Sequence, residues 1–193
     1  MRLAPLPAAA SWTHGGARRG FEVAFFSARG DERVLTGSTA AHEPPAMWSV
    51  SYSVVTDAAW GTLSVRATTM STTGSGEVEL ARDPDGSWTV GGEPRADLDG
   101  CADVDFESSA VTNTLPVHRI DFEVGQGIDV PAAFVRADDL RVERLEQRYT
   151  LLESTTSGSV FRYESSTFDF SCDLRDDASG LVREYPGIAD RDA

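Results

Sequence analysis

The side chains spaced closely enough to do chemistry together lie between Asp99 and Asp121. The first stretch reads Asp99-Gly100-Cys101-Ala102-Asp103-Val104-Asp105-Phe106, and the second reads Thr112-Asn113-Thr114-Leu115-Pro116-Val117-His118-Arg119-Ile120-Asp121. Extended backbone places Cys101, Asp103 and Asp105 on one face, with successive carboxylates roughly 6–7 Å apart. Two readings are open. If that face is interior, the acids need partners, and Arg119 is the nearest candidate. Asp105, Asn113 and Arg119 are then expected to form one buried network at the rim or floor of a cavity. In an enzyme, Asp103 or Asp105 and Arg119 would serve as acid, base or anion clamp for a small metabolite. If the face is wet, Asp103 and Asp105 cap turns, and Asn113, Thr114 and Pro116 form an Asx-type turn.

Other chemistries lack their residues. His14, His42 and His118 are far apart and form no H-x-H or H-x-x-x-H pair, so no metal site is expected. No G-x-S-x-G occurs, which leaves a serine nucleophile without its elbow. Asp83-Pro84-Asp85-Gly86 lacks the further acidic ligands of a calcium loop and reads as a turn. Cys101 and Cys172 are too few and too scattered for a disulfide framework, and they are expected as free thiols in a reducing compartment. All 17 basic residues are arginine, so chemistry that needs a lysine is excluded and no cofactor is implied. Against them stand 31 acidic residues, a net charge of −14. The longest basic run is Arg18-Arg19, and such a surface repels phosphate backbones, so no nucleic-acid partner is expected.

The elements that position these groups are strands. Trp48, Val50, Tyr52 and Val54 alternate with serines, and Leu63, Val65 and Ala67 alternate with Thr62, Ser64 and Arg66. Val78 and Leu80, Trp88 and Val90, Phe161 and Tyr163, and Phe168, Phe170, Cys172 and Leu174 repeat the pattern. Turns rich in Gly, Asp and Ser separate the runs, with Asp83-Pro84-Asp85-Gly86 the clearest hairpin. Residues 140–152 are ambiguous: Val142, Leu145, Tyr149 and Leu152 fit a helix, whereas Gln147, Tyr149 and Leu151 fit a strand paired with Val160–Tyr163 across Gly158. The neighbouring strand favours the second reading. The spacing predicts an all-β chain with at least ten antiparallel strands and little helix, curled into a barrel or half-barrel, with residues 1–193 as one domain. Trp48, Val50, Tyr52, Val54, Leu63, Val65, Phe168, Phe170 and Cys172 are expected to face inward together. Trp12, Trp48, Trp60 and Trp88 either fill this core or line an apolar pocket.

No apolar stretch reaches 18 residues, so no transmembrane helix is expected. Residues 1–10 imitate a signal peptide, but Pro5 and Pro7 interrupt their short apolar run, and a cytoplasmic location is expected. The sequence carries no signal for oligomeric state.

Certain strings, in this order, are more specific than the residue types. They are Asp85-Gly86-x-Trp88, Leu98-Asp99-Gly100-Cys101-Ala102-Asp103-Val104-Asp105, Thr112-Asn113-Thr114-Leu115-Pro116-Val117-x-Arg119, Gln147-x-Tyr149, Phe161-x-Tyr163 and Gly180-Leu181-Val182-x-x-Tyr185-Pro186-Gly187. With Trp12 and the Phe21-Glu22 pair, they resemble the bacterial "putative glycolipid-binding" family over nearly the whole chain. That resemblance implies an antiparallel β fold similar to lipoprotein-carrier half-barrels that hold an acyl chain. The expected function is binding of an amphipathic small molecule, a lipid or glycolipid, in an apolar cavity. The expected lining is Trp48, Tyr52, Trp60, Asp105, Asn113, Arg119, Tyr149, Phe161 and Tyr163. Two alternatives remain: a small-molecule enzyme built on Asp103, Asp105 and Arg119, and a non-binding interaction module with a packed interior. Cavity volume and lining discriminate among the three.

Overall fold

The computed structural model describes residues 3–192, so Met1 and Arg2, which open the signal-like segment, lie outside it. Among the described residues there are seventeen strands and one six-residue α-helix. The first half is an antiparallel meander of β1 (Ala9–His14), β2 (Arg19–Arg29), β3 (Glu32–Glu43), β4 (Ala46–Thr56), β5 (Thr62–Ser71), β6 (Gly74–Arg82), β7 (Trp88–Val90) and β8 (Glu93–Pro94). After β9 (Asp103–Phe106) and α1 (Thr114–Arg119) come β10 (Gly127–Asp129), β11 (Ala132–Val135) and β12 (Val142–Leu145). A second meander follows: β13 (Gln147–Thr155), β14 (Gly158–Ser165), β15 (Phe170–Asp177), β16 (Val182–Tyr185) and β17 (Ala189–Arg191). Strand β17 pairs with β1 and joins the meanders into one 14-stranded sheet, in the order β10-β13-β14-β15-β16-β17-β1-β2-β3-β4-β5-β6-β7-β8. Its outer strands do not pair with each other, so the sheet is an open, curled half-barrel.

Period-two alternation explains why this sheet has an inside. Val50 and Val54 are fully buried, and Trp48, Tyr52 and Val65 nearly so, while Ser49 and Ser51 between them are exposed. Leu35 and Trp88 from the first meander join Leu151, Phe161 and Leu174 from the second in one buried cluster. The concave side is filled by the chain between the meanders. There β11 pairs in parallel with β9 and antiparallel with β12. All four residues of β9 and all four of β11 are buried, because both of their faces are covered.

Several expectations hold and several are corrected. Residues 142–145 and 147–155 are strands, with Tyr149 and Leu151 inward and Leu152 outward. The segment around Thr112-Asn113-Thr114-Leu115-Pro116 is not an Asx-type turn. It is a 3-10 turn, Val111–Asn113, running into α1, and Pro116 sits in the first helical turn, where a missing N–H is tolerated. Leu63 does not point fully inward. A bulge sets Thr62, not Leu63, opposite Thr56, and the buried Thr62 hydroxyl accepts the Val104 N–H at 3.2 Å. Phe168 is 40% exposed, because it precedes β15 and the left-handed Asp169 (φ 47°) breaks the alternation. Phe170 and Cys172 are half-buried. Both cysteines are free, and burial pushes the Cys101 thiol up to about 11 and the Cys172 thiol up to about 12, which leaves both as unreactive thiols at neutral pH.

Glu22 fastens the filling to the sheet. It faces inward from β2 and is fully buried. Its carboxylate accepts the Tyr52 hydroxyl at 2.8 Å, the Ala110 N–H at 2.8 Å and the Ser109 hydroxyl, and His14 Nε2 lies 3.4 Å away. The Tyr52 ring stacks on Phe106 with centroids 5.0 Å apart. Gly37 of β3 lies opposite Tyr52, and a Cβ there would collide with the ring. Gly37→Ala, whose Cβ would strike the Tyr52 hydroxyl oxygen and Cζ, is therefore expected to cost about 1–3 kcal/mol in chemical denaturation, as overpacking does.

Candidate functional site

A cavity of about 270 Å³ opens at one end of the half-barrel, between the filling and the second meander. The β1–β2 turn supplies Ala17 and Arg18, and the end of β3 supplies Glu43. The filling contributes Asp105, Phe106, Glu107, Ser109, Asn113, Phe134 and Arg136, and the second meander contributes Tyr163, Phe168, Phe170, Tyr185 and Ile188. The walls are largely aromatic. Arg18 reaches toward Glu43 at 3.8 Å and lies 5.4 Å from the Trp48 ring. Arg136 bonds Glu107 at 3.1 Å and Glu143 at 2.5 Å, with its guanidinium over Phe134 and Phe168 at 5.2 and 5.0 Å. Both cations are thus held at the mouth by carboxylates and ring faces.

The polar side of the cavity is Asp105, Ser109 and Asn113. The Asp105 carboxylate accepts the Thr112 hydroxyl at 2.5 Å, and the same hydroxyl oxygen accepts the Phe106 N–H at 3.2 Å. Burial outweighs the first of these bonds and pushes the Asp105 pKa up to about 7. Near neutrality the group therefore interconverts between an O–H donor and a carboxylate acceptor. Asn113 is fixed from behind, where its Oδ1 accepts the Tyr149 hydroxyl at 2.7 Å. The Tyr163 and Tyr185 rings meet edge-on with centroids 6.0 Å apart, and burial holds both phenols well above their usual range, so they stay neutral.

Of the residues expected to line a site, Asp105, Asn113 and Tyr163 meet at this cavity. Tyr149 stands directly behind Asn113, and Trp48 lies beneath Arg18. Tyr52 is committed to Glu22, and Phe161 is fully buried, edge-on to Phe122 at 5.0 Å. Trp60 lies elsewhere, tilted against the His118 ring with centroids 4.0 Å apart, in a groove with Leu3, Leu6 and Arg33. The single Asp105–Asn113–Arg119 network does not form. Arg119, at the end of α1, makes a bidentate pair with Asp103, at 3.0 Å from Nε to Oδ1 and 2.6 Å from Nη2 to Oδ2. Asp103 is fully buried, and desolvation raises its pKa despite the arginine. Of the two acids named with Arg119 for an enzyme, Asp103 is the one it pairs, and Asp105 bonds Thr112 instead.

The lining residues not foreseen are chiefly Arg18, Arg136, Phe134, Phe170 and Tyr185. A usable signal existed for two of them: Ala132-Ala133-Phe134-Val135 is a continuous apolar run, the mark of a strand buried on both faces, and Arg136 follows it. Among the described residues no cluster of three His, Cys, Asp or Glu side chains is disposed to hold a metal, and no helix is long and apolar enough to cross a membrane.

The raised Asp105 pKa has a definite sign for stability. The unfolded carboxyl ionises near its ordinary value of 3.8 and the folded one near 7, so the contribution is complete below about pH 4 and lost as pH rises through 7. The full effect is of order 4 kcal/mol. Asp105→Asn should remove this slope, so that its melting temperature relative to wild type rises between pH 5 and pH 8. A parallel pair of pH profiles would show that Asp105 already ionises normally.

The structure is similar to that of a DUF1089 family protein from Pseudomonas aeruginosa, with a TM-score of 0.74 and 26% identity, covering 99% of this chain and 100% of that one. A beta-barrel-like protein of the domain of unknown function DUF1849 from Brucella abortus shares the fold, with a TM-score of 0.54 and 11% identity, over 98% of this chain and 96% of that one. No curated protein matches the sequence. The model of the family described as "putative glycolipid-binding" matches residues 9–191, from the first strand of the sheet to the last, and the chain belongs to that family.

Proposed function

We propose that this chain binds an amphipathic small molecule, a lipid or glycolipid, by seating its polar head in the aromatic cavity at the end of the half-barrel. The observation that carries this reading is the cavity's division into aromatic walls and one polar side. Phe134, Phe168, Phe170, Tyr163 and Tyr185 offer ring faces, while Asp105, Ser109 and Asn113 offer hydrogen bonds. Small-molecule sites are built in this way, with a few polar groups fixing orientation inside an apolar enclosure. The family description supports the same class of ligand.

Volume limits what enters. About 270 Å³ falls just under the roughly 300–1,000 Å³ usual for small-molecule sites, so it suits a head group or a short chain segment. The concave side of the sheet is occupied by β9, β11, β12 and α1, so a long acyl chain does not run through the barrel as the lipoprotein-carrier likeness implied. In this reading it leaves past Phe168, which is partly exposed at the mouth.

Native mass spectrometry of the purified protein, followed by titration with a fluorescent fatty acid and an alkyl glucoside, tests the proposal. Phe168→Ala and Tyr163→Phe should weaken binding by about tenfold, the scale of one lost aromatic or hydrogen-bond contact. Arg119→Met should cost about 3 kcal/mol of stability by leaving Asp103 unpaired, yet bind normally in the folded fraction. Equal affinity in wild type and both cavity variants, or binding of neither probe by wild type, would overturn the proposal.

A further inference from the structure

We infer that the cavity takes an amphipathic ligand whose polar head is a carboxylate, and that this head replaces Glu43 on the Arg18 guanidinium. The inference deepens the reading that the cavity seats a polar head, and it rests on that reading. Arg18 stands on the turn between β1 and β2 and lines the cavity. At 8% exposure it is the one buried arginine among the described residues. A guanidinium is all donor, yet Arg18 Nε is shut off from solvent and has no hydrogen-bond partner. Its ion-pair partner, Glu43 Oε2, lies 3.8 Å from Nη1, beyond hydrogen-bond reach. Burial has removed the water that would satisfy these donors, and the protein has not replaced it.

The other arginine of the cavity is in a different state. Arg136 is bonded to Glu107 at 3.1 Å and to Glu143 at 2.5 Å, so an anion arriving there would join two carboxylates already in place. At Arg18 the protein's own carboxylate sits loosely. Glu43 ends β3, its side chain is 38% exposed, and its Oε2 also accepts the Trp48 indole N–H at 3.3 Å. An ion pair this long, with one partner half in water, holds weakly. Glu43 can therefore turn to solvent and leave Arg18 to an incoming group.

Geometry and charge select that group. The planar fork of a guanidinium matches the two oxygens of a carboxylate, and the Trp48 ring, 5.4 Å from the guanidinium carbon, limits how the fork can turn. A carboxylate that takes the place of Glu43 leaves the charge facing Arg18 unchanged. A dianionic phosphate would instead add to the acid surplus that Glu107 and Glu143 create around Arg136. Phe168, Phe170 and Tyr185 line the same cavity and supply the apolar surface that the attached chain needs. A small free anion would leave those rings unused.

Calorimetric titration of the full chain at about pH 6 with octanoate, octanol and octyl glucoside, which share a chain and differ in the head, tests the inference. Wild type should bind octanoate about tenfold or more tightly than the other two, the scale of a charge-assisted hydrogen bond. Acetate, the head without the chain, should bind at least about tenfold more weakly than octanoate, and inorganic phosphate should not displace octanoate. Arg18→Met should abolish the preference for octanoate. Glu43→Gln, a change at a half-exposed side chain that decides the matter if Arg18→Met does not fold, should raise octanoate affinity because the competing carboxylate is gone. Octanoate that fails to bind wild type, binds no more tightly than octanol, keeps its preference in Arg18→Met or weakens in Glu43→Gln overturns the inference. So does acetate binding as tightly as octanoate, or displacement by phosphate, either of which marks a site for a small free anion. The cavity reading fails separately, if Phe168→Ala leaves the affinity of every octyl probe unchanged.

Discussion

A carboxylate with no exposed surface dictates much of this structure. Glu22 points into the half-barrel from β2, where a buried carboxyl is tolerated only if its oxygens find hydrogen-bond partners. The groups that engage it come from separate parts of the chain: Tyr52 from β4, and Ser109 and the Ala110 N–H from the segment between β9 and α1. One side chain thus ties the sheet to the material that fills it. Neighbouring polar contacts repeat the device around the filling. Arg119 holds Asp103, Thr112 bonds Asp105, Asn113 accepts Tyr149, and the Thr114 hydroxyl donates to the Gly180 carbonyl at 2.6 Å. The segment is pinned at both arms of the sheet by bonds whose loss would strand a buried polar group.

The filling determines what sort of binding the fold can perform. An open curled sheet invites the idea of a hollow carrier, but here β9, β11, β12 and α1 occupy the hollow and leave a cavity at one end. Asp105 illustrates the consequence. The packing that excludes water from β9 raises its carboxyl to about 7 and also turns it toward the cavity as a neutral or charged partner, depending on pH. The arginines at the mouth, restrained by Glu43, Glu107 and Glu143, frame the opening without filling it.

How much could be read in advance follows from what is local. Trp48 to Val54 reveals its strand and its inner face because alternation is a property of neighbours, and Asp83-Pro84-Asp85-Gly86 reveals its hairpin for the same reason. The filling is less legible. β9 and β11 pair in parallel across a long stretch of sequence, and their four-residue buried runs show no alternation. The strings place Asp103 and Asp105 near Arg119 and Asn113 along the chain, but which acid takes which partner is set by α1, whose helical form the Thr-Asn-Thr-Leu-Pro string conceals behind turn-forming residues. Leu63 and Phe168 were misplaced by single-residue events, a bulge and a left-handed Asp169, that shift a face without changing the pattern around them. The type of Trp60 suggests a place in the site, whereas its packing against His118 depends on a contact remote in sequence.

Native-state hydrogen exchange of Glu22→Gln against wild type tests the central role of that carboxylate most directly. An amide in its place keeps the volume but provides one acceptor oxygen for donors that now meet two. The account predicts that amides of residues 103–119 lose protection well before those of β3–β5, because the filling loosens from a sheet that remains intact. Unchanged protection of residues 103–119, or a uniform loss across the sheet and filling together, would contradict it.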